Sequence, residues 1–527
     1  MRGARLLAVA SADLRARLRR PATLVFLGLL LAAASATFPD PSTGKGILTI
    51  GGRRAIYNSA ALAVATVGLL PILLGLFGFY VVSNAVGLDR RSGAGRLFGA
   101  SPVTSAEYLL GKLLGSVTLL SFVTLAFSAV VMAVQAVHAE APVEPLVFLA
   151  HVLVVVLPAL LTVASFALLF ECVPFLSGRF GDVAYFFVWV TTLSIPVFLC
   201  DFENGLYPPV AALLDGSGFG FLITELQHVT GSGNLHIGWG GDAPTGPPLL
   251  FPGFDFGARV LGLRALALLP PLALFPICVA AFDRFDPARG GASASGRASL
   301  LSRLSGLARP AAAVLLDLAV PAERKTTRPG LLSAAPTDPL PTLPVRPLLP
   351  PALPAPAPAA VLVPPASAAS LLSVAFALLA LVLADVPTRE ERTGLSRVFA
   401  STPGAGGRLA AVKLLSASAT ALLLLAPLGA KAAFARPVAL PAAVAGALFA
   451  ATLAVAVGLT TGSPKTFVGL LLALWYVATS DKGQTPALDL AGFAGVATAA
   501  SVAGWLGVSA LLSAGVLLLD RFRRSRA

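Results

Sequence analysis

Arg91-Ser92-Gly93-Ala94-Gly95-Arg96-Leu97-Phe98, followed by Ser101-Pro102 and Lys112-Leu113-Leu114, forms a short basic cassette between two long apolar stretches. The same order returns 301 positions later (91 to 392) as Arg392-Thr393-Gly394-Leu395-Ser396-Arg397-Val398-Phe399, then Thr402-Pro403, then Lys413-Leu414-Leu415. The copies align without a gap, and apolar runs long enough to cross a bilayer as helices flank the polar gaps. Such a chain reads as a helical membrane protein with basic loops between its spans. Two more pairs of landmarks extend the repeat. Arg20-Pro21-Ala22 and Arg309-Pro310-Ala311 open the halves, while Asp283-Arg284-Phe285 and Asp520-Arg521-Phe522 close them. Landmarks in one order argue for internal duplication.

Composition points the same way. Of 527 residues 56% are apolar and 12% charged, too few charges to surface a set of soluble domains. The net charge of +13 does not imply nucleic acid, because the arginines cluster at the ends of apolar runs, where orientation in the bilayer explains them. The expected fold is an all-α integral membrane protein, a polytopic bundle of about 11–12 transmembrane helices in two diverged repeats.

Residues 1–20 place Leu7, Ala10, Leu14 and Leu18 on one helical face, with Arg15, Arg17, Arg19 and Arg20 around the rest. This is the pattern of an interfacial amphipathic helix, and no convincing processing site follows it. Spans are expected at 22–38, 60–87, 108–136, 146–170, 183–200 and 261–282, and in the second half at 367–386, 409–428, 438–460, 466–480 and 493–519. The loop 201–257 carries six acids and no lysine or arginine, so it is expected outside, with the cassettes and both termini cytosolic. The domains are then 1–20, an interfacial helix; 21–285, a first six-helix half; 286–366, a cytosolic linker with a second amphipathic segment and a proline-rich tract; and 367–527, a second, shortened half. The apolar run after Pro310 is too short to span and contains Asp317, and the prolines of 329–365 exclude a regular helix there.

Within each cassette, Gly93 and Gly394 permit a sharp exit from the preceding helix, and Pro102 and Pro403, capped by Ser101 or Thr402, start the next turn. Arg91, Arg96, Arg392 and Arg397 reach acidic groups of a partner or lipid phosphates. Phe98 and Phe399 offer an apolar knob for a partner's groove. Lys112 and Lys413, just inside the next span, are expected to snorkel back to the surface. One such loop would read as an ordinary positive-inside flank; two copies in the same residue order point to a docking element.

Other chemistry is sparse. Cys172, Cys200 and Cys278 lack metal or disulfide spacing and read as small apolar fillers. His151 reads as a satisfied histidine near a span's outer end, and His228, His236 and Trp239 as residues of the outer loop. Ser42-Thr43-Gly44-Lys45-Gly46 lacks the upstream glycine and the hydroxyl residue of a phosphate-binding loop. No catalytic, cofactor or metal site is expected, and near the bilayer only Asp317 and Asp385 stand out as acids.

The N-terminal basic helix, the first span, Asp89-Arg90-Arg91-Ser92-Gly93, Ala100-Ser101-Pro102-Val103 and Glu107-Tyr108-Leu109-Leu110-Gly111-Lys112 together resemble the membrane subunits of type-2 ABC exporters, including large bacterial permeases that sometimes carry an aminopeptidase. The resemblance covers nearly all of 1–285 and, more loosely, 367–527. It implies that the chain is a fused two-half permease of the bacterial inner membrane, not itself an enzyme. Arg91 to Lys112 and Arg392 to Lys413 would be coupling loops for two copies of a separate ATPase subunit that binds the ATP and magnesium. Membrane lipid is the other expected partner, and the transported substrate stays open. The region 311–366 departs from the family pattern. Two rival readings are a secondary transporter and a membrane scaffold or assembly factor without transport.

Overall fold

The computed structural model describes residues 2–38, 40–41, 46–177, 179–202, 205–232, 235–238, 246–286, 365–388, 409–481 and 483–525. The chain divides into two compact units, Met1–Asp286 and Pro287–Ala527.

The first unit begins with α1 (Arg2–Leu18), α2 (Pro21–Thr37), β1 (Leu48–Ile50), β2 (Arg53–Arg54), α3 (Ser59–Leu73), α4 (Phe79–Val82), α5 (Ala85–Ser92) and α6 (Ala94–Ala100). It continues with α7 (Ser105–His138), α8 (Pro145–Cys172), α9 (Arg179–Leu199), α10 (Pro209–Leu214), α11 (Phe219–Thr230), β3 (Leu235–Ile237), α12 (Ala258–Leu266) and α13 (Leu269–Ala281). The second unit holds α14 (Pro365–Leu383), α15 (Leu409–Ala433), α16 (Ala439–Thr461), α17 (Pro464–Ser480) and α18 (Ala499–Ser525). Each of the eleven expected spans overlaps helix, but 60–87 is interrupted at residues 83–84, 261–282 is split after Leu266, and the helix in 493–519 begins only at Ala499. Among the described residues eight helices are long and apolar enough to cross a membrane, and Pro21–Ala32 and Ser370–Leu383 are shorter apolar helices. The protein is a multi-pass helical membrane protein.

In the first unit α3 is the central helix. Leu62, Ala63, Val64 and Ala65 are fully buried on successive faces, as an all-round apolar sequence requires. Pro71 withdraws one amide from this helix, and just beyond it the chain widens into a π-turn, Leu74–Gly78. Tyr185 donates its hydroxyl hydrogen to the Gly75 carbonyl within that turn, at 2.5 Å. Gly75 is needed for space, since a methyl there would stand 2.6 Å from the Trp189 ring.

The described residues of 201–257 include α10, α11 and β3 and are tied to the spans. The fully buried Asp215 carboxylate accepts from the Tyr207 and Ser217 hydroxyls, both at 2.9 Å, and from the amides of Gly218, Phe219 and Phe221. Arg264, also buried, donates to the carbonyls of Asp215 and Val155, each at 2.9 Å. The sequence reading overlooked this arginine inside its own expected span 261–282. Glu225 likewise pairs with Arg259 at 2.6 Å, so two of the loop's six acids meet cations supplied by the following span. His151 accepts from the Phe254 amide at 2.9 Å, which leaves its Nδ1–H to donate to the Val147 carbonyl. It is a satisfied structural histidine, as read from the sequence.

The all-α expectation needs one addition. β1 pairs antiparallel with β2 and β3 in a three-stranded sheet of order β2-β1-β3. Gly51 and Gly52 turn the hairpin at φ 57° and 74°. Strands of two or three residues are too short to carry a readable period of two.

In the second unit α15 packs on α16 at closely spaced small residues. A methyl on Gly429 would stand 2.5 Å from the Ala443 side chain, the close approach that small residues permit between membrane helices. Trp475 donates to the Ser373 hydroxyl at 2.9 Å, joining α17 to α14.

Candidate functional site

The first cassette folds as two short helices at one end of the bundle. α5 stops at Ser92, Gly93 takes a left-handed φ of 80°, and α6 leaves at a new angle. After Ser101-Pro102, α7 opens on a capping box in which Thr104 accepts from the Glu107 amide while Glu107 accepts from the Thr104 amide. The cap therefore falls on Thr104, not on Ser101 as the sequence suggested; Ser101 bonds back to Phe98 instead.

The start of α5 is held by an acid from another span. Glu171, near the end of α8, accepts from the amides of Ala85 (2.9 Å), Val86 (2.7 Å) and Gly87 (3.1 Å), satisfying helix-terminal donors and placing negative charge at the positive end of the dipole.

Lys112 corrects the expectation of a snorkelling lysine. It is 5% exposed, and its ammonium lies 2.9 Å from Asp13 Oδ1 and 2.7 Å from Asp89 Oδ2. Asp13 also pairs with Arg17 at 2.6 Å, Arg17 donates to the Val82 carbonyl, and Asp89 accepts from the Tyr108 hydroxyl at 2.7 Å. A buried charge chain thus runs Arg17–Asp13–Lys112–Asp89–Tyr108, joining α1, α7 and α5. Snorkelling loses because two carboxylates within hydrogen-bond reach replace water for the ammonium.

The same contacts fix which side of α1 packs on the bundle. Its buried side is Val9, Ala10, Asp13 and Arg17, whereas Leu7 is 65% exposed. Gly111 and Gly115 of α7 allow the approach, for a methyl at Gly111 would stand 2.7 Å from Val9 and one at Gly115 3.0 Å from Asp13. Burial raises the Asp13 carboxyl's pKa, but the Arg17 and Lys112 charges outweigh it and hold the group below the usual carboxylate range.

Phe98 is also reassigned. Its ring lies 4.9 Å from Tyr108, which stacks on Phe282 at 5.5 Å and meets Phe285 edge-on at 5.6 Å. The proposed knob is turned into the bundle, and the apolar side chain presented outward is Leu97, 75% exposed. Asp283-Arg284-Phe285, read only as the landmark closing the first half, folds under the cassette. Asp283 pairs with Arg90 at 2.8 Å, Arg284 donates to the Ser101 and Val103 carbonyls at 3.1 and 3.0 Å, and Phe285 covers Gly95, where a methyl would stand 2.5 Å from the ring. Arg91, Gly93, Arg96, Leu97 and Pro102 are left exposed.

Of the second cassette, Arg392, Gly394, Arg397, Phe399 and Pro403 lie outside the described residues, as does Asp317. Lys413 is described: it is 2% exposed and donates to the Pro387 carbonyl at 2.6 Å. Like Lys112, it does not snorkel but ties the start of its helix to the chain upstream. Gly458 makes room there, since a methyl would meet the Pro387 ring.

Sequence reading missed Asp13, Asp89 and Glu171 as partners. One signal was present, since Asp13 is the only acid in residues 1–38 and stands four residues before Arg17. Among the described residues no group of histidine, cysteine and acidic side chains could hold a metal ion. The thiols of Cys172 and Cys278 meet inside the apolar cluster around Tyr108, consistent with apolar fillers. In comparisons with known protein families, curated proteins and solved structures, the chain matches none.

Proposed function

We propose that this protein is the membrane-spanning permease subunit of an ABC-type exporter, with the cassette of α5 and α6 as the docking element for a separate ATPase on the cytosolic side. The observation that carries this reading is a contrast within one loop. Arg96, Leu97 and Pro102 stand on the surface at the end of the bundle, while Asp89, Phe98 and Lys112 lock the same loop to α7 and α1, and Glu171 holds its start to α8. A loop that only oriented the chain in the bilayer would need charge and no bracing. A loop that receives force from a partner needs a stiff mount, so that displacement reaches the spans instead of being absorbed locally. In this reading the chain contributes no catalytic residue, the partner holds ATP and magnesium, and the aligned second cassette serves a second ATPase copy.

The test is co-expression with an ABC-type ATPase of the same cell. Reversing Arg91, Arg96, Arg392 and Arg397 to glutamate should abolish copurification of the ATPase while leaving extraction and melting of the permease unchanged. Undiminished copurification overturns the docking role. Labelling of a cysteine placed at Leu97 by an impermeant reagent added outside intact cells would overturn the orientation.

A further inference from the structure

We infer that α1 binds the anionic phospholipid headgroups of its leaflet through Arg15 and Arg19, and that this occupancy is passed to the cassette through the contacts of Asp13 with Lys112 and of Lys112 with Asp89. Amphipathicity alone places α1 in the interface; its packing decides which side is left for lipid and what the other side holds. At 3.6 residues per turn, Leu7, Leu14 and Leu18, spaced seven and four apart (14 − 7 and 18 − 14), stack as one stripe of α1. Val9, Asp13 and Arg17 form a second stripe, buried on the bundle. Arg15 and Arg19 form a third, and both are exposed.

Three observations identify the occupant. The first is placement. α1 ends at Leu18, and α2, which carries no charged residue, begins at Pro21, so the chain enters hydrocarbon directly from the end of α1 that bears Arg15 and Arg19. The second is charge. Residues 1–20 hold six arginines and one acid, a balance of +5 (6 − 1). That acid, Asp13, is already shared by Arg17 and Lys112, so Arg15 and Arg19, four residues apart, repel each other with no acid of their own helix to offset them. An anionic headgroup supplies the missing charge, and a zwitterionic one does not. The third is the neighbouring stripe. Leu7 is 65% exposed and Leu14 and Leu18 are half-buried, so a surface that sets acyl chains beneath its charges matches both stripes, whereas an acidic soluble protein would match the arginines alone. Docked, α1 presents both stripes to the leaflet at once, so lipid favours the docked helix and thereby keeps Asp13 on Lys112 at 2.9 Å and Lys112 on Asp89 of α5 at 2.7 Å. The inference uses the membrane reading of the chain and does not depend on the permease reading.

The test compares amide hydrogen exchange of the full-length protein in nanodiscs of phosphatidylcholine alone and of phosphatidylcholine mixed with phosphatidylglycerol. Phosphatidylglycerol should slow exchange of residues 2–18 about tenfold, and that of residues 85–92 in the same sense. Arg15→Gln with Arg19→Gln should abolish the difference between the discs in both segments, whereas Arg15→Lys with Arg19→Lys should keep it, because the headgroups are drawn by charge. Neither double variant should change melting, since an exposed arginine contributes little to stability, and added salt should shrink the lipid effect by screening. With Asp13→Asn, phosphatidylglycerol should still slow exchange in α1 and no longer in α5. Equal exchange in the two discs, or a lipid response kept by the glutamine variant, would overturn the binding. A parent response in α1 without one in α5, or one kept in α5 by Asp13→Asn, would overturn the transmission. Because no ATPase enters the assay, its failure is separate from failure of the docking reading.

Discussion

Replacing Lys112 by methionine tests whether the buried charge chain holds α1 to the cassette. The ammonium sits 2.9 Å from Asp13 and 2.7 Å from Asp89, so those carboxylate oxygens are no further apart than 5.6 Å (2.9 + 2.7). Both side chains are largely buried, at 3% and 12% exposure. With the lysine gone, two unit negative charges at that separation repel by about 3 kcal/mol at an effective dielectric of about 20, in line with the roughly 3–5 kcal/mol observed when one partner of a buried pair is removed. Undocking α1 relieves the repulsion, so the variant should populate the undocked state about a hundredfold more, given tenfold per roughly 1.4 kcal/mol. Amide hydrogen exchange of residues 2–18, followed by mass spectrometry, reads that ratio directly. Adding Asp89→Asn should restore most of the protection, because Asp13 then keeps Arg17 without a like charge beside it. Exchange in α1 within about twofold of the parent would refute the reasoning.

Two further outcomes follow from the same end of the bundle. Glu171→Ala strands three amides at the start of α5 and should weaken that helix by about 1–3 kcal/mol, raising exchange across residues 85–92 while leaving α1 protected; equal loss in both elements would mean a global effect instead. Acid should loosen both ends of the first unit. A hydrogen bond from Arg54 lowers the Glu140 carboxyl, as the cations beside Asp13 lower that one. Each depressed carboxyl contributes stability that is complete above its unfolded value, 4.5 for Glu140 and 3.8 for Asp13, and that disappears as pH falls through the lower folded value. Melting in detergent should therefore be flat from neutrality to mild acid and drop below about pH 4, and Asp13→Asn should make that drop shallower.

The spans were legible because apolar runs near twenty residues leave few alternatives in water or lipid; runs such as 108–136 and 438–460 became α7 and α16 almost as read. The hinge at Gly93 was legible for a local reason, its freedom at positive φ. What failed was the assignment of direction. Leu7, Ala10, Leu14 and Leu18 marked the apolar face of α1, and of these Ala10 is buried in the protein and Leu7 exposed; the ionic Asp13 and Arg17 are buried as well, because their partners, Lys112 and Val82, come from distant sequence. Phe98 and Lys112 were assigned outward for the same reason: composition marks a residue as apolar or charged, and only tertiary neighbours decide which way it turns. Arg264 shows the reverse error, an ion read past because apolar residues surround it in sequence while Asp215 waits 49 positions upstream.

This separation of roles constrains how the second cassette should be dissected. In the first, positions 89, 98 and 112 maintain the mount, and 96 and 97 face outward. In the sequence, Glu390, Phe399 and Lys413 align with positions 89, 98 and 112, and Arg397 and Val398 with 96 and 97. Lys413 already behaves as a mount, buried and bonded to Pro387. Substituting a mounting residue would disturb the fold and would lose any partner for that reason alone. Arg96 is the residue whose charge should report on docking itself, because an exposed arginine contributes little to stability while its charge still steers and orients an acidic surface; Arg397 is its counterpart by sequence alignment.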